Sequence, residues 1–427
     1  MSQITNIEAR EILNSGATAS IEVKVTLADG AIGKASVPFG ASAGVHEAFI
    51  LFDGGRRYGG QGMLKAARNV NTEIKKILIG QDAYQQTAVD QKMIKLDGTE
   101  NKSRLGSNAI LGVSLAVARA SAASQKLELY QYIKKFFNFQ TISSLPAPMI
   151  VLIEGGKHAD NSTDFQEYLI VPQIKNERGK LSIKESVRAG AEVYLELKKV
   201  LQAKGHNTNV GNEGAYAPSG MRVNAEPWDL ILEAIDRAGY QAGQDIKLAA
   251  DPACSEVVVR AKDEAGLQYQ LPKERRILSS EELIDYFTGW VEEYPFICLE
   301  DILAEDDWDN WVKAQARLGQ KVRLIGDDLL VTNPKRLQKA IQKKACNAIL
   351  IKLNQIGTLS ETVQTIKMAH ENNFWTIVSH RGGGETNDTA MIDLAVACGC
   401  QMVKVGIARG ERVTKYNRLM EIEEQIK

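Results

Sequence analysis

The sequence predicts an α/β chain: a C-terminal β/α barrel preceded by a smaller α+β domain, an antiparallel sheet followed by helices. Three observations carry this. Beyond residue 145, short apolar strands alternate with helical stretches, the pattern of a parallel sheet. Before it, an alternation of period two gives way to one near 3.6. Polar residues ending the later strands recur at nearly constant steps. A chain of 427 residues has room for one small domain and one barrel.

Ile21, Val23, Val25 and Leu27 alternate with Glu22, Lys24 and Thr26, which predicts a half-buried strand. Asp29-Gly30 predicts a turn into a second strand ending at Val37. Met63, Ala67, Val70, Ile74 and Ile77 recur at helical spacing, and Gly80 closes that helix. A second helix is expected over 107–124, with Ser107 or Asn108 as its cap. Leu145-Pro146-Ala147-Pro148 reads as a boundary, so 1–140 is a capping domain and 141–427 the barrel. The barrel strands are expected at Ile246–Ala250, Phe296–Leu299, Val322–Ile325, Ala348–Ile351, Trp375–Ser379 and Gln401–Val405. Helices are expected over 281–290, 334–343, 358–371 and 386–397.

Composition narrows the function classes. Charged residues are 25% and hydrophobic residues 44%, which excludes a disordered or collagenous chain. The net charge of -1 gives no global field for nucleic acid or an acidic membrane. Five irregularly spaced cysteines, Cys398-Gly-Cys400 included, predict buried thiols. Met1-Ser2-Gln3-Ile4 opens without a basic and apolar leader, and 107–124 is too polar for a membrane span. A cytoplasmic enzyme without nucleic-acid or membrane partners is expected.

The strand-end residues are Asp251, Glu300, Asp327, Lys352, His380 and Lys404, at steps of 49, 27, 25, 28 and 24. One β/α unit takes about 25–30 residues, so these positions fall at successive strand ends, one unit being skipped. Taken singly, an Asp or Lys at a strand end is commonly a cap or a solvated loop residue. Six in register, with complementary charges, point to one site at the mouth of a barrel. Three carboxylates suit a hard divalent cation such as Mg²⁺. Lysines beside a dication lose a proton more easily, and a neutral lysine is a competent base. Metal plus lysine suits removal of a proton next to a carboxylate, because the metal stabilises the enediolate formed.

Longer motifs add a resemblance. They are Ala9-Arg10-Glu11-Ile12-Leu13, Gly40-Ala41-Ser42 with His46-Glu47-Ala48, Leu96-Asp97-Gly98-Thr99-Glu100-Asn101-Lys102-Ser103, and Gln166-Glu167. Further on come Glu300-Asp301 with Glu305-Asp306-Asp307-Trp308, and Asp327-Asp328-Leu329 with Val331-Thr332-Asn333-Pro334. Ile349-Leu350-Ile351-Lys352, Asn354-Gln355-Ile356-Gly357-Thr358-Leu359 and Val378-Ser379-His380-Arg381 complete the set. Over almost its whole length the chain resembles the enolase family, the phosphopyruvate hydratases, in which a lysine base works beside magnesium. The resemblance implies Mg²⁺-dependent dehydration of 2-phosphoglycerate to phosphoenolpyruvate. It implies Asp251, Glu300 and Asp327 as ligands of a first Mg²⁺, and Ser42, in a mobile loop, as a ligand of a second that also binds substrate. It implies Lys352 as the base at C2, Glu213 as the acid for the C3 hydroxide with Glu167 beside it, and Lys404 as the partner of the substrate carboxylate. His158 matches a lid residue, Arg381 a phosphate clamp, and Gln166 and His380 line the same pocket. The small-residue loops Gly40-Ala41-Ser42-Ala43-Gly44 and Glu154-Gly155-Gly156-Lys157-His158 suit closing lids, although either taken alone is commonly a plain surface turn.

Five departures accompany the resemblance. The family's S-R-G-N-P-T is Ser15-Gly16-Ala17-Thr18-Ala19-Ser20 here, and its G-D-E-G-G is Gly211-Asn212-Glu213-Gly214-Ala215. Its N-G-G is Glu154-Gly155-Gly156, so Glu154 either adds a carboxylate near the mouth or faces solvent. Its S-H-R-S-G-E-T is Ser379-His380-Arg381-Gly382-Gly383-Gly384-Glu385-Thr386. Gly382 and Gly383 are expected to offer backbone N–H groups to an anion in place of a serine. An arginine that pairs across the family's dimer interface is Glu421, facing the match of Glu22. A homo-oligomer is expected, with that contact altered. The departures leave two alternatives beside 2-phosphoglycerate: another small phosphorylated or phosphono carboxylate, or a non-catalytic binding protein.

Overall fold

The computed structural model describes residues 2–40, 44, 46–139, 144–260 and 266–426. Strands Ile4–Leu13, Ala19–Leu27 and Ile32–Val37 form an antiparallel meander. Ile21, Val23, Val25 and Leu27 point into the core as their alternation predicts. On the outer face Arg10 pairs with Glu22 at 2.8 Å and Lys24 with Glu8 at 3.1 Å, directly across the strands. The edge strand Ile4–Leu13 escapes the period-two pattern because of a register irregularity between Ile4 and Asn6 and because Glu11 takes an inward position, where it accepts from the Met63 N–H at 2.7 Å. Gly33 lies against the backbone of Ala116 and Ala120, which brings helix Ser107–Ser124 close onto the sheet.

Two local expectations need correction. The stretch near 63–77 is helical but not uniformly α: Leu64–Asn69 and Lys75–Leu78 flank a π turn at Val70–Ile74. Neither Ser107 nor Asn108 caps its helix, which starts after Gly106. The Asn108 side chain instead accepts from the Leu51 N–H at 3.1 Å and donates to the Leu51 carbonyl at 3.2 Å. It pins the segment that leads from the small domain to the barrel mouth.

The second part is a closed eight-stranded barrel. Its order is Phe296–Glu300, Arg323–Gly326, Ala348–Ile351, Trp375–Ser379, Met402–Val405, Ala147–Glu154, Glu167–Pro172 and Ile246–Asp251. Two of these strands lie outside the six that the sequence pattern reveals. Glu167–Pro172 runs antiparallel to both neighbours, so the sheet is not wholly parallel. The physical reason is the link 155–166, which holds one short 3₁₀ turn and no crossover helix, so the chain must return antiparallel. As a result the first residue of this strand, Glu167, stands in register with the last residues of its neighbours, Glu154 and Asp251. The helix expected over 386–397 begins only at Ala390. Asp388 accepts from the Ala390 N–H at 2.8 Å and is held by Arg119 of the small domain at 2.8 Å, which fixes the preceding turn.

The link 155–166 is anchored where it enters Glu167–Pro172. Phe165 is buried against Tyr286, Phe287 and Trp290, with ring centroids 5.4–6.0 Å apart. Burial of that ring contributes about 1.5–3 kcal/mol. All five cysteines are free and buried. No helix among the described residues is long and apolar enough to cross a membrane. Glu421 pairs with Arg418 at 2.8 Å and Glu22 with Arg10, so both carboxylates are compensated within the chain.

The two parts meet over buried polar contacts. Asp90 accepts from the Ser360 N–H at 3.1 Å and from Gln86 at 3.1 Å. Burial, only partly offset by those bonds, raises its pKa to about 6. A carboxyl raised in the folded state contributes stability below its unfolded pKa and loses it as pH rises through about 6. Asp90→Asn should therefore stabilise the protein at pH 7.5, by up to about 3 kcal/mol, and change it little at pH 3.5. Chemical denaturation at the two pH values checks this.

Candidate active site

The strands deliver their terminal residues to one rim. Asp251 and Glu300 end their strands, Asp327 and Lys352 follow directly after theirs, Lys404 lies one residue from an end, and His380 and Arg381 follow Ser379. Gln166 and Glu167 enter from the antiparallel strand, His158 from the link 155–166 and Glu213 from the turn 211–215. These residues, Glu300 excepted, line a cavity of about 560 Å³, its open mouth included. Glu300 is fully buried and reaches it through Lys404. Ser42 lies outside the described residues. Gly382 lines the cavity, but Gly383 does not: its carbonyl packs against Gly16, where a Cβ would stand 2.5 Å from it.

The three expected metal ligands are shared between two lysines. Lys404 Nζ sits among Asp251 at 2.7 Å, Glu300 at 2.8 Å and Glu167 at 2.9 Å. Asp327 pairs instead with Lys352 and accepts from Gln355 at 2.8 Å. Beneath it, Asp301 accepts from the Asp327 N–H at 3.0 Å and the Asp328 N–H at 2.8 Å. Burial works against both ammonium groups, but the facing carboxylates outweigh it and raise both pKa values, Lys404 the more strongly. Burial pushes Glu300 and Glu167 well up, while Asp327, buried as well, is held below its ordinary value by Lys352. Burial and Asp327 together push Asp328 up to about 8.

On the other side, His380 Nε2 lies 2.9 Å from Glu213, and His158 Nδ1 3.3 Å from Glu167 and 3.8 Å from Glu213. Burial opposes the Glu213 charge, but His380 outweighs it and holds this carboxyl below its usual value. Burial thus shifts Glu167 upward while Glu213 is shifted downward. Glu154 does not face solvent. It is fully buried and accepts from the Glu213 N–H at 3.0 Å and the Ala215 N–H at 2.9 Å.

Arg381 Nη1 donates to both oxygens of Glu47 at 3.1 Å, so this buried guanidinium already has a carboxylate partner from the small domain. Gly40 makes room for it, since a Cβ there would meet the guanidinium. A Cβ on Gly382 would stand 2.8 Å from His158 Nε2 and 3.1 Å from Glu213.

Sequence reasoning misses Glu47, Asp301, Asp328 and Glu256 as lining groups. The first three lie within motifs quoted above without a role attached, and the doublets Glu300-Asp301 and Asp327-Asp328 are the signal that could have found two of them. With these, eight carboxyl groups (Glu47, Glu167, Glu213, Asp251, Glu256, Asp301, Asp327 and Asp328) face three strong cations, Lys352, Arg381 and Lys404. Oxygen ligands in such excess suit a hard divalent cation. Asp301, Asp327 and Asp328 also bring carboxylate oxygens within 4.8 Å of one another. The donor set thus fits a hard divalent cation such as Mg²⁺.

Comparison with known families follows this geometry. A family model described as the enolase N-terminal domain matches residues 4–133, and one described as the enolase C-terminal TIM barrel domain matches residues 142–427. With both parts of the fold matched and an acidic site at the barrel rim, the chain belongs to the enolase family, whose Mg²⁺-dependent dehydratase chemistry its site is equipped to perform.

Proposed function

We propose that the protein dehydrates 2-phosphoglycerate to phosphoenolpyruvate, in the cytoplasm, as a step of glycolysis and gluconeogenesis. One observation carries this reading. In the barrel order the strand before Lys352 and the strand that begins at Glu167 are four apart out of eight, so they stand on opposite walls. A three-carbon acid held between them meets an amine on one face and carboxyls on the other. That is the arrangement an elimination needs, with the C2 proton passing to a neutral Lys352 and the C3 hydroxyl leaving as water on a proton supplied from the Glu167 and Glu213 side. Asp251, Glu300 and Asp327 would hold a divalent cation, which would supply positive charge beside the substrate carboxylate as C2 loses its proton. Lys404 neutralises the substrate carboxylate, Arg381 takes the phosphate in exchange for Glu47, and the His158 loop covers the site and excludes water.

The direct test follows phosphoenolpyruvate absorbance from 2-phosphoglycerate and Mg²⁺. Turnover supports the reading; no turnover with Mg²⁺ still bound rejects it. The missing side chain at Gly382, beside Arg381, favours a related phosphono or phosphorylated carboxylate as the second reading, and a screen of such analogues separates it from a protein that only binds. Gly382→Ala should push His158 from its seat and lower kcat/KM by about 10–100-fold, as steady-state kinetics would show.

A further inference from the structure

Glu154 is a buried carboxyl that the reaction above does not use. It ends strand Ala147–Glu154 and turns inward beneath the turn 211–215. Its Oε1 accepts from the Glu213 N–H at 3.0 Å and the Ala215 N–H at 2.9 Å, and its Oε2 lies 3.1 Å from the same Glu213 nitrogen. Gly211 passes so close that a Cβ there would stand 2.5 Å from Oε2. The remaining polar groups of the turn are held from other directions. The Glu213 carbonyl accepts from Ile407 N–H at 3.2 Å, the Asn212 carbonyl from Arg409 at 3.0 Å, and the Gly214 carbonyl from Tyr194 at 2.8 Å. Two N–H groups of this turn, those of Glu213 and Ala215, thus end on the Glu154 side chain, while the Asn212 N–H goes to the His158 carbonyl at 3.2 Å and those of Gly211 and Gly214 stay within the turn.

From this geometry we propose that Glu154 is a positioning residue, which fixes the turn and so sets Glu213 against His380 and the departing hydroxyl. The proposal rests on the dehydratase reading for its consequence and on the hydrogen bonds for its cause. The two N–H groups offset part of the cost of burying this carboxyl, and removing it strands both donors in a dry site. Burial and the nearby Glu213 charge raise the Glu154 pKa to about 8, so a neutral acceptor is tolerated at that position. An amide should do the same work.

Two measurements on Glu154→Ala and Glu154→Gln test this. Hydrogen exchange across residues 209–216, with no substrate present, should accelerate at least about tenfold in Glu154→Ala and stay near the starting protein in Glu154→Gln. Solvent exchange at C2 of 2-phosphoglycerate, the Lys352 half of the reaction, should stay within about threefold in Glu154→Ala, while dehydration falls about 10–100-fold with KM little changed. Glu154→Gln should recover most of the dehydration rate. Unchanged exchange over 209–216 in Glu154→Ala overturns the clamp. Equal losses of C2 exchange and dehydration overturn the positioning role in favour of a general packing role. If Glu154→Ala does not fold, Glu154→Gln decides, since loss of protection there contradicts the acceptor argument. An unmodified protein that turns over no 2-phosphoglycerate rejects the dehydratase reading, and the substrate-free exchange experiment still decides the clamp.

Discussion

Lys352→Ala should abolish solvent exchange at C2 of 2-phosphoglycerate and lower turnover by about 10²–10⁴-fold, the range a general base supplies. Mg²⁺ affinity should hold or rise, because the lost ammonium pairs with Asp327 and competes for the oxygen that a cation would use. Lys352→Arg separates charge from proton transfer. A guanidinium keeps the pairing with Asp327 but cannot give up its proton, so it should be as inactive as alanine. Isothermal calorimetry with Mg²⁺ and exchange in deuterated water check the pair of outcomes. Retained exchange in either variant reassigns the base.

The second large effect is at the cage. Glu300 is fully buried and accepts from Lys404 with both oxygens at 2.8 Å. Glu300→Gln keeps the shape and removes the charge. Lys404 retains Asp251 and Glu167, so the loss of stability should be smaller than the roughly 3–5 kcal/mol of a buried ion left without a partner. Mg²⁺ affinity should fall by at least about 100-fold, more than outer-shell substitutions usually cost. Calorimetry for the metal and thermal unfolding for the fold give the two numbers independently. A full loss of structure in Glu300→Gln would mean that the carboxylate serves the barrel before it serves a metal.

Much of this was legible in the sequence, for a physical reason. Strands covered on both faces read as short apolar runs, and a polar residue ending each run must lie at a rim. Asp251, Glu300, Asp327, Lys352, His380 and Lys404 therefore announce themselves by spacing alone. Glu167 does not, because its strand runs the other way and the residue that faces the mouth comes first. Glu154 shows the other limit. Its place under the turn 211–215 depends on a hydrogen bond across 59 positions of sequence, which no local pattern encodes. The lysines illustrate a third limit. Spacing puts them at the mouth, but their partners decide their protonation, and here these are carboxylates.

The charge pattern explains why a metal and a lysine would alternate at one site. Lys352 pairs with Asp327, and Lys404 with Asp251 and Glu300, so each of these three buried acids faces an ammonium group. Freed from Asp327, Lys352 loses the interaction that keeps it charged, and the surrounding burial then favours its neutral form.

A crystal structure of the Mg²⁺ complex with 2-phosphoglycerate tests the central claim most directly. The account predicts the cation on Asp251, Glu300 and Asp327, Lys352 Nζ within about 3–3.5 Å of C2, and the C3 hydroxyl on the Glu167 and Glu213 side. A substrate bound with Lys352 turned away from C2, or with both ends of the elimination on one face, contradicts it.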